Sequence, residues 1–177
     1  MAYYPPTPTA ASPEWQQFLA TDVNQSGEID GQELQRMLAA GGLVFSLQTV
    51  MQLIRLHSSR DTGTLVFDEF KAVQQFLANI QASFQYFDAS RNGKLSKTEV
   101  LHALHHAGFG NIDEGAVKSA CMAFDPDRSN NLSLDQYIAM SMFLLCSKRA
   151  FDAFDPQHSG RMTLDFNQFV YAASKTR

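Results

Sequence analysis

Oxygen-bearing residues recur at fixed intervals in Asp22-Val23-Asn24-Gln25-Ser26-Gly27-Glu28-Ile29-Asp30-Gly31-Gln32-Glu33. Asp22, Asn24, Ser26, Asp30 and Glu33 hold positions 1, 3, 5, 9 and 12 of this run, and Glu28 holds position 7. A hard cation such as calcium takes six to eight oxygens, and a short loop supplies them only by wrapping around the ion. Alternate residues then aim inward, position 7 offers its carbonyl, and a carboxylate at position 12 closes the shell with two oxygens. Gly27 allows the bend at the midpoint.

A second run repeats the pattern. Asp88, Ser90, Asn92, the Lys94 carbonyl, Ser96 and Glu99 form an equivalent set in residues 88–99. It has two carboxylates against three in the first run, with Arg91, Lys94 and Lys97 close by. Ligand charge tunes affinity, so this loop is expected to bind calcium more weakly. Three further runs are poorer. Residues 58–69 keep Glu69 but open with Ser58 and place Arg60 where a ligand should point, a charge that repels a divalent ion unless compensated. Residues 125–136 open with Asp125 and Asp127 but close on the neutral Gln136, and Asn130 stands in the glycine position. The fifth opens at Asp155, and its position 12 is Phe166. Its closing Phe166-Asn167-Gln168-Phe169 aligns with Phe67-Asp68-Glu69-Phe70 only if the loop carries two extra residues. Loops two, four and five are expected to be weak or empty.

Five loops need helices on both sides to hold them. Gly27, Gly63, Gly93, Asn130 and Gly160 mark the loop centres, and each is followed two residues later by Ile29, Leu65, Leu95, Leu132 or Met162. The markers are 36, 30, 37 and 30 residues apart. The short gaps contain no glycine or proline between Leu65 and Asn92, or between Leu132 and Asp155. Each reads as one helix of about twenty residues, roughly 30 Å long, shared by two units. The long gaps contain Gly41-Gly42, and Gly108, Gly110 and Gly115, which serve as connectors. The chain therefore reads as all-α: five helix–loop–helix units, at 14–42, 46–77, 78–108, 113–144 and 145–177, behind a Pro/Tyr-containing tail at 1–13. Ser12 caps the first helix and Pro13 sits in its first turn. Loops pair through short ribbons at position 8, which satisfies their backbone groups. Unit one pairs with two and three with four, and unit five is left to pair with the fifth unit of another molecule.

The bulk numbers exclude several classes. A net charge of −4 argues against nucleic acid as a partner. No signal peptide, myristoylation glycine or eighteen-residue apolar span is seen. Cys121 and Cys146 fall in apolar helical patterns and read as reduced thiols of an intracellular protein. His102, His105 and His106 have a spacing that could hold zinc, but no fourth ligand is offered, and they read as a solvated or groove-lining face. No nucleophile–base constellation or phosphate loop points to an enzyme.

The repeating loop matches the EF-hand pattern, with serine at position 5. Five EF-hand units, two shared helices, an insertion in loop five and the Pro/Tyr tail resemble the penta-EF-hand family over residues 14–177. The full twelve-residue first loop resembles the branch of the apoptosis-linked programmed cell death protein six and peflin. The resemblance implies a homodimer or heterodimer held through unit five. It also implies a calcium-exposed apolar pocket for Pro-rich peptides of adaptor proteins in membrane trafficking. The expected protein is a cytoplasmic calcium sensor and adaptor, recruited to membranes at most peripherally and with calcium. Met37, Met51, Met122, Met140 and Met142 are candidates for adaptable surface or for plain core. A regulatory subunit of a calpain-type protease and a calcium buffer are the alternatives.

Overall fold

A computed structural model describes residues 12–60, 62–174 and 176. The tail assigned to residues 1–13 lies outside these, except for Ser12 and Pro13. Eight helices appear among the described residues: α1 (Pro13–Thr21), α2 (Gly31–Ala40), α3 (Leu47–His57), α4 (Phe67–Phe87), α5 (Lys97–His106), α6 (Glu114–Phe124), α7 (Leu134–Phe154) and α8 (Phe166–Ser174). Two short strands, β1 (Leu95–Ser96) and β2 (Asn131–Leu132), complete the order. α4 and α7 each run 21 residues, as the breaker-free gaps predict.

Helix starts follow their capping residues. The Ser12 hydroxyl accepts from the Trp15 amide at 3.2 Å, with Pro13 in the first turn. Asp30 and Glu33 form a reciprocal capping box at the start of α2, and Ser96 and Glu99 do the same for α5. Each box satisfies orphan amide donors of a first turn. Helix ends follow the glycines. Gly42 (φ +84°) and Gly108 (φ +93°) adopt the left-handed geometry that α2 and α5 need to stop. The next residues, Leu43 and Phe109, turn back to donate to the Leu38 and Leu104 carbonyls at 2.9 and 3.0 Å.

The chain divides into two compact units, one up to Phe76 and one from Leu77 onward. In the first, Phe18, Ile29, Leu34, Val50, Leu53, Ile54, Leu65, Phe70 and Val73 are buried. Trp15 stacks on Phe18 at 5.5 Å between centroids and meets Phe67 edge-on at 4.8 Å. Ile29 and Leu65 form an antiparallel bridge, exchanging amide–carbonyl bonds of 2.8 and 2.9 Å.

In the second unit, β1 pairs antiparallel with β2, placing Leu95 opposite Leu132 and Ser96 opposite Asn131. Both leucines join a core with Phe84, Val100, Leu104, Val117, Cys121, Tyr137 and Met140. The methionines divide. Met140 and Met142 are core, Met37 and Met51 are half-buried, and Met122 is exposed. α8 packs on α7 through Ala172, which is buried, and through Tyr171, whose ring lies 6.4 Å from that of Phe154. Phe166, Phe169, Val170 and Tyr171 of α8 are exposed, Phe166 by 77%.

Candidate calcium-binding loops

The five loops share a backbone even where their side chains differ. Position 6 has positive φ in all of them: Gly27 (+80°), Gly63 (+74°), Gly93 (+75°), Asn130 (+62°) and Gly160 (+74°). Position 4 is also left-handed at Gln25, Arg91, Arg128 and His158, with φ between 51° and 57°. Non-glycine residues enter this region at a cost of about 1–2 kcal/mol. Hydrogen bonds to the first residue of the loop offset it. In loop one, Asp22 Oδ1 accepts from the Ser26 amide at 2.9 Å and Oδ2 from the Gly27 amide at 2.8 Å. Asp125 accepts from the Ser129 and Asn130 amides at 3.0 and 2.7 Å, and Asp155 from the Ser159 and Gly160 amides at 2.9 and 2.7 Å. The opening aspartate thus templates the turn in good loops and poor ones alike.

The closing residue separates the loops. Glu33 is buried, only 2% exposed. Its Oε2 accepts from the Asp30 amide at 3.0 Å, while Oε1 reaches across the loop to the Val23 and Asn24 amides at 3.0 and 3.2 Å. Loop three repeats this: Glu99 accepts from the Ser96 amide at 2.8 Å and across the loop from the Ala89 amide at 3.2 Å. In loops four and five, Gln136 and Gln168 accept only from the cap amides of Ser133 and Asp165, at 2.9 and 3.0 Å, among the described residues. Asp165 accepts from the Gln168 amide at 2.9 Å and caps α8 as Asp30 caps α2. That alignment requires two extra residues after Gly160, as the closing tetrads predict, and moves Phe166 out of position 12.

The other residues expected as ligands make hydrogen bonds within their own loops. Asn24 Oδ1 accepts from the Ser26 amide at 2.9 Å, and the Ser26 hydroxyl donates to the Glu28 carbonyl at 2.8 Å. In loop three, Ser90 donates to Asp88 Oδ1 at 3.1 Å, Asn92 Oδ1 accepts from the Lys94 amide at 2.8 Å, and Ser96 Oγ donates to Glu99 at 2.8 Å. Asp30 is less available than its type suggests, because its Oδ1 accepts from the Gln32 and Glu33 amides at 2.8 and 2.9 Å. Among the described residues no three His, Cys, Asp or Glu side chains cluster to hold a metal by themselves. An oxygen shell in loop one must therefore draw on Asn24, Ser26 and main-chain carbonyls, a donor set that suits a hard cation. Two of the three histidines in the row have other neighbours: His105 Nε2 lies 3.1 Å from the Ile112 carbonyl, and His106 packs against Phe87.

Loop two contains what sequence reasoning missed. Glu69 closes it in the manner of Glu33, accepting from the Ser59 and Val66 amides at 2.8 and 3.1 Å. Arg60 does not stand uncompensated. Its guanidinium lies 2.8 Å from the Glu28 carboxylate of loop one and 3.7 Å from Glu69. Thr64 also donates to Glu28. The Thr64 hydrogen bond and the Arg60 pair hold the Glu28 carboxyl below its ordinary value. Burial raises the Glu69 carboxyl, but hydrogen bonds from Ser59 and Val66 and the nearby Arg60 outweigh it, and the net shift is downward. Only the carbonyl of Glu28 is left for loop one. A search for charge partners of Arg60, rather than for ligands, could have found this.

A family model described as "EF hand" matches residues 16–38 and 80–102, which are units one and three. The chain is 27% identical to sorcin of Mus musculus over 158 residues, 86% of this chain and 78% of that protein. It is 25% identical to peflin of Danio rerio over 169 residues, 94% of this chain and 62% of that protein. A solved structure of a homolog of programmed cell death 6 protein from Leishmania major aligns with a TM-score of 0.70 at 28% identity, covering 94% of this chain and 95% of that one. These findings define an EF-hand protein with the all-α EF-hand fold. Among such proteins, the likeness to sorcin, peflin and the programmed cell death 6 homolog is consistent with the penta-EF-hand family.

Proposed function

We propose that this protein is a calcium sensor whose working sites are loops one and three. The observation that carries this reading is the closing glutamate. Only Glu33, Glu69 and Glu99 reach across their loops among the described residues, and of those three loops only one and three also open with an aspartate. Asp22, Asn24, Ser26, the Glu28 carbonyl and Glu33 would hold calcium in loop one, with Asp30 offering only the oxygen that the Gln32 and Glu33 amides leave free. Asp88, Ser90, Asn92, the Lys94 carbonyl, Ser96 and Glu99 would hold it in loop three. Bound calcium supplies a divalent charge that draws these oxygens together; the side chains supply placement. The two-carboxylate set of loop three makes it the weaker site.

The family likeness supports a cytoplasmic adaptor rather than an enzyme. Its calcium-dependent surface would take a Pro-rich peptide, and dimers would form through unit five. No helix of the described residues is long and apolar enough to cross a membrane. A regulatory-subunit role is the second reading, favoured by 26% identity to human calpain small subunit 1 over 126 residues.

Calorimetric titration of calcium into wild type, Glu33→Ala and Glu99→Ala tests the assignment. The tighter site should vanish in Glu33→Ala and the weaker one in Glu99→Ala. A tight site that survives Glu33→Ala overturns the ranking. Failure to capture any Pro-rich peptide or apolar dye at saturating calcium overturns the adaptor role and leaves a buffer.

A further inference from the structure

Loop two closes without the residue that opens the others. It has no opening aspartate; the Ser58 hydroxyl instead donates to the Arg60 carbonyl at 2.7 Å. Yet Glu69 spans the loop as Glu33 spans loop one, reaching the amides of positions 2 and 9. Its bridge to loop one, Ile29 to Leu65, is fully made. The positive charge at this loop comes from the chain itself. Arg60 sits at position 3, where a ligand would point, and its guanidinium lies between Glu69 of its own loop and Glu28 of the partner loop. Glu28 and Thr64 occupy position 7 of the two paired loops and touch each other directly.

We propose that the Arg60 guanidinium is a tethered cation that does for loop two what calcium does for loop one. It offsets the closing Glu69, takes up the Glu28 carboxylate, and holds loop two in its closed form without metal. The first unit then has one calcium site and one permanent internal charge. Loop one always finds a finished ribbon partner, and its binding is single-site and non-cooperative within that unit. A guanidinium suits the role because it never loses its proton, and its Nη1 hydrogen-bonds Glu28 while Nη2 stays within ion-pair distance of Glu69. Arg60 is thus a positioning residue for loop one, acting through Glu28 and the ribbon.

The test uses the full chain and the fluorescence of Trp15, its only tryptophan. Trp15 packs against Phe67, the first residue of α4 and position 10 of loop two, and so reports on the first unit. Thermal unfolding in chelator should show a midpoint lowered by several degrees in Arg60→Gln and largely kept in Arg60→Lys, which retains the charge. The decisive arm places Arg60→Gln on Glu33→Ala, where loop one is disabled. Millimolar calcium should raise the Trp15 midpoint of the double variant well beyond any rise in Glu33→Ala alone, where only loop three remains to bind it, because an external cation now replaces the internal one. An Arg60→Gln midpoint equal to wild type overturns the proposal. So does a double variant that calcium fails to rescue, or one that it raises no more than Glu33→Ala, since a simple surface ion pair would behave so. The inference rests on the calcium reading of loop one only for that background. If wild-type loop one binds no calcium, the sensor reading fails instead, and the chelator arm still decides the role of Arg60.

Discussion

Gly27 and Glu33 carry different parts of the same loop. Gly27 has φ +80°, and a Cβ built there would meet nothing within 4 Å. Substitution by alanine therefore costs only backbone strain, about 1–2 kcal/mol. Chemical denaturation in chelator, followed through Trp15, should show a loss of that size for Gly27→Ala. A loss near zero would mean that the loop relaxes out of the left-handed region. Glu33 has no such single term, because its two oxygens join three amides across the loop. At this scale the ligand types and order were legible in the sequence, since their spacing is the chemistry. The role of the Glu28 side chain was not. Its partners, Arg60 and Thr64, lie 32 and 36 residues away, and nothing local announces them.

The ribbons are the elements that couple loops. Ile29 and Leu65 are fully buried and bonded to each other through both main chains. Ile29→Ala leaves those bonds available but removes most of a buried side chain, which costs about 2–5 kcal/mol. It should also weaken calcium binding by loop one, because the residue follows the Glu28 carbonyl directly. Calorimetry and unfolding of the same variant would check both effects; lost stability with unchanged affinity would separate the ribbon from the site. The long helices were legible as breaker-free stretches, and α4 and α7 came out at 21 residues. The left-handed residues at position 4 were not legible. Gln25, Arg91, Arg128 and His158 share no chemistry, and the hydrogen bonds to the opening aspartates impose their geometry.

At the scale of the whole molecule, several carboxylates set the response to acid. Burial raises Asp88, Asp125 and Asp155, but amide donors from their own loops outweigh it and leave all three lowered. Glu28 and Glu69 are lowered as well. A carboxyl lowered in the folded state contributes stability that is fully present above its unfolded value of about 4 and is lost as pH falls through the folded values below it. Melting in chelator should therefore be flat from pH 7 to about pH 5 and fall steeply below about pH 4. A decline that already begins near pH 6 would overturn the assignment to these carboxylates. Assembly is the second molecular property. α8 exposes Phe166, Phe169, Val170 and Tyr171, and the proposed dimer would cover them. Truncation after Ser147 and the milder Phe169→Asp should both yield monomers in sedimentation, and a Phe169→Asp dimer would place the interface elsewhere.

By itself the sequence determined five loops, their helices, the pairing of one with two and three with four, and the insertion in loop five. Each is a local pattern of period, spacing or breaker, repeated often enough to be read without coordinates. Tertiary structure alone decided which closing residues span their loops, and that Arg60 is met by two carboxylates. Those facts depend on residues far apart in the chain, brought together only when the ribbon forms and the core closes behind it.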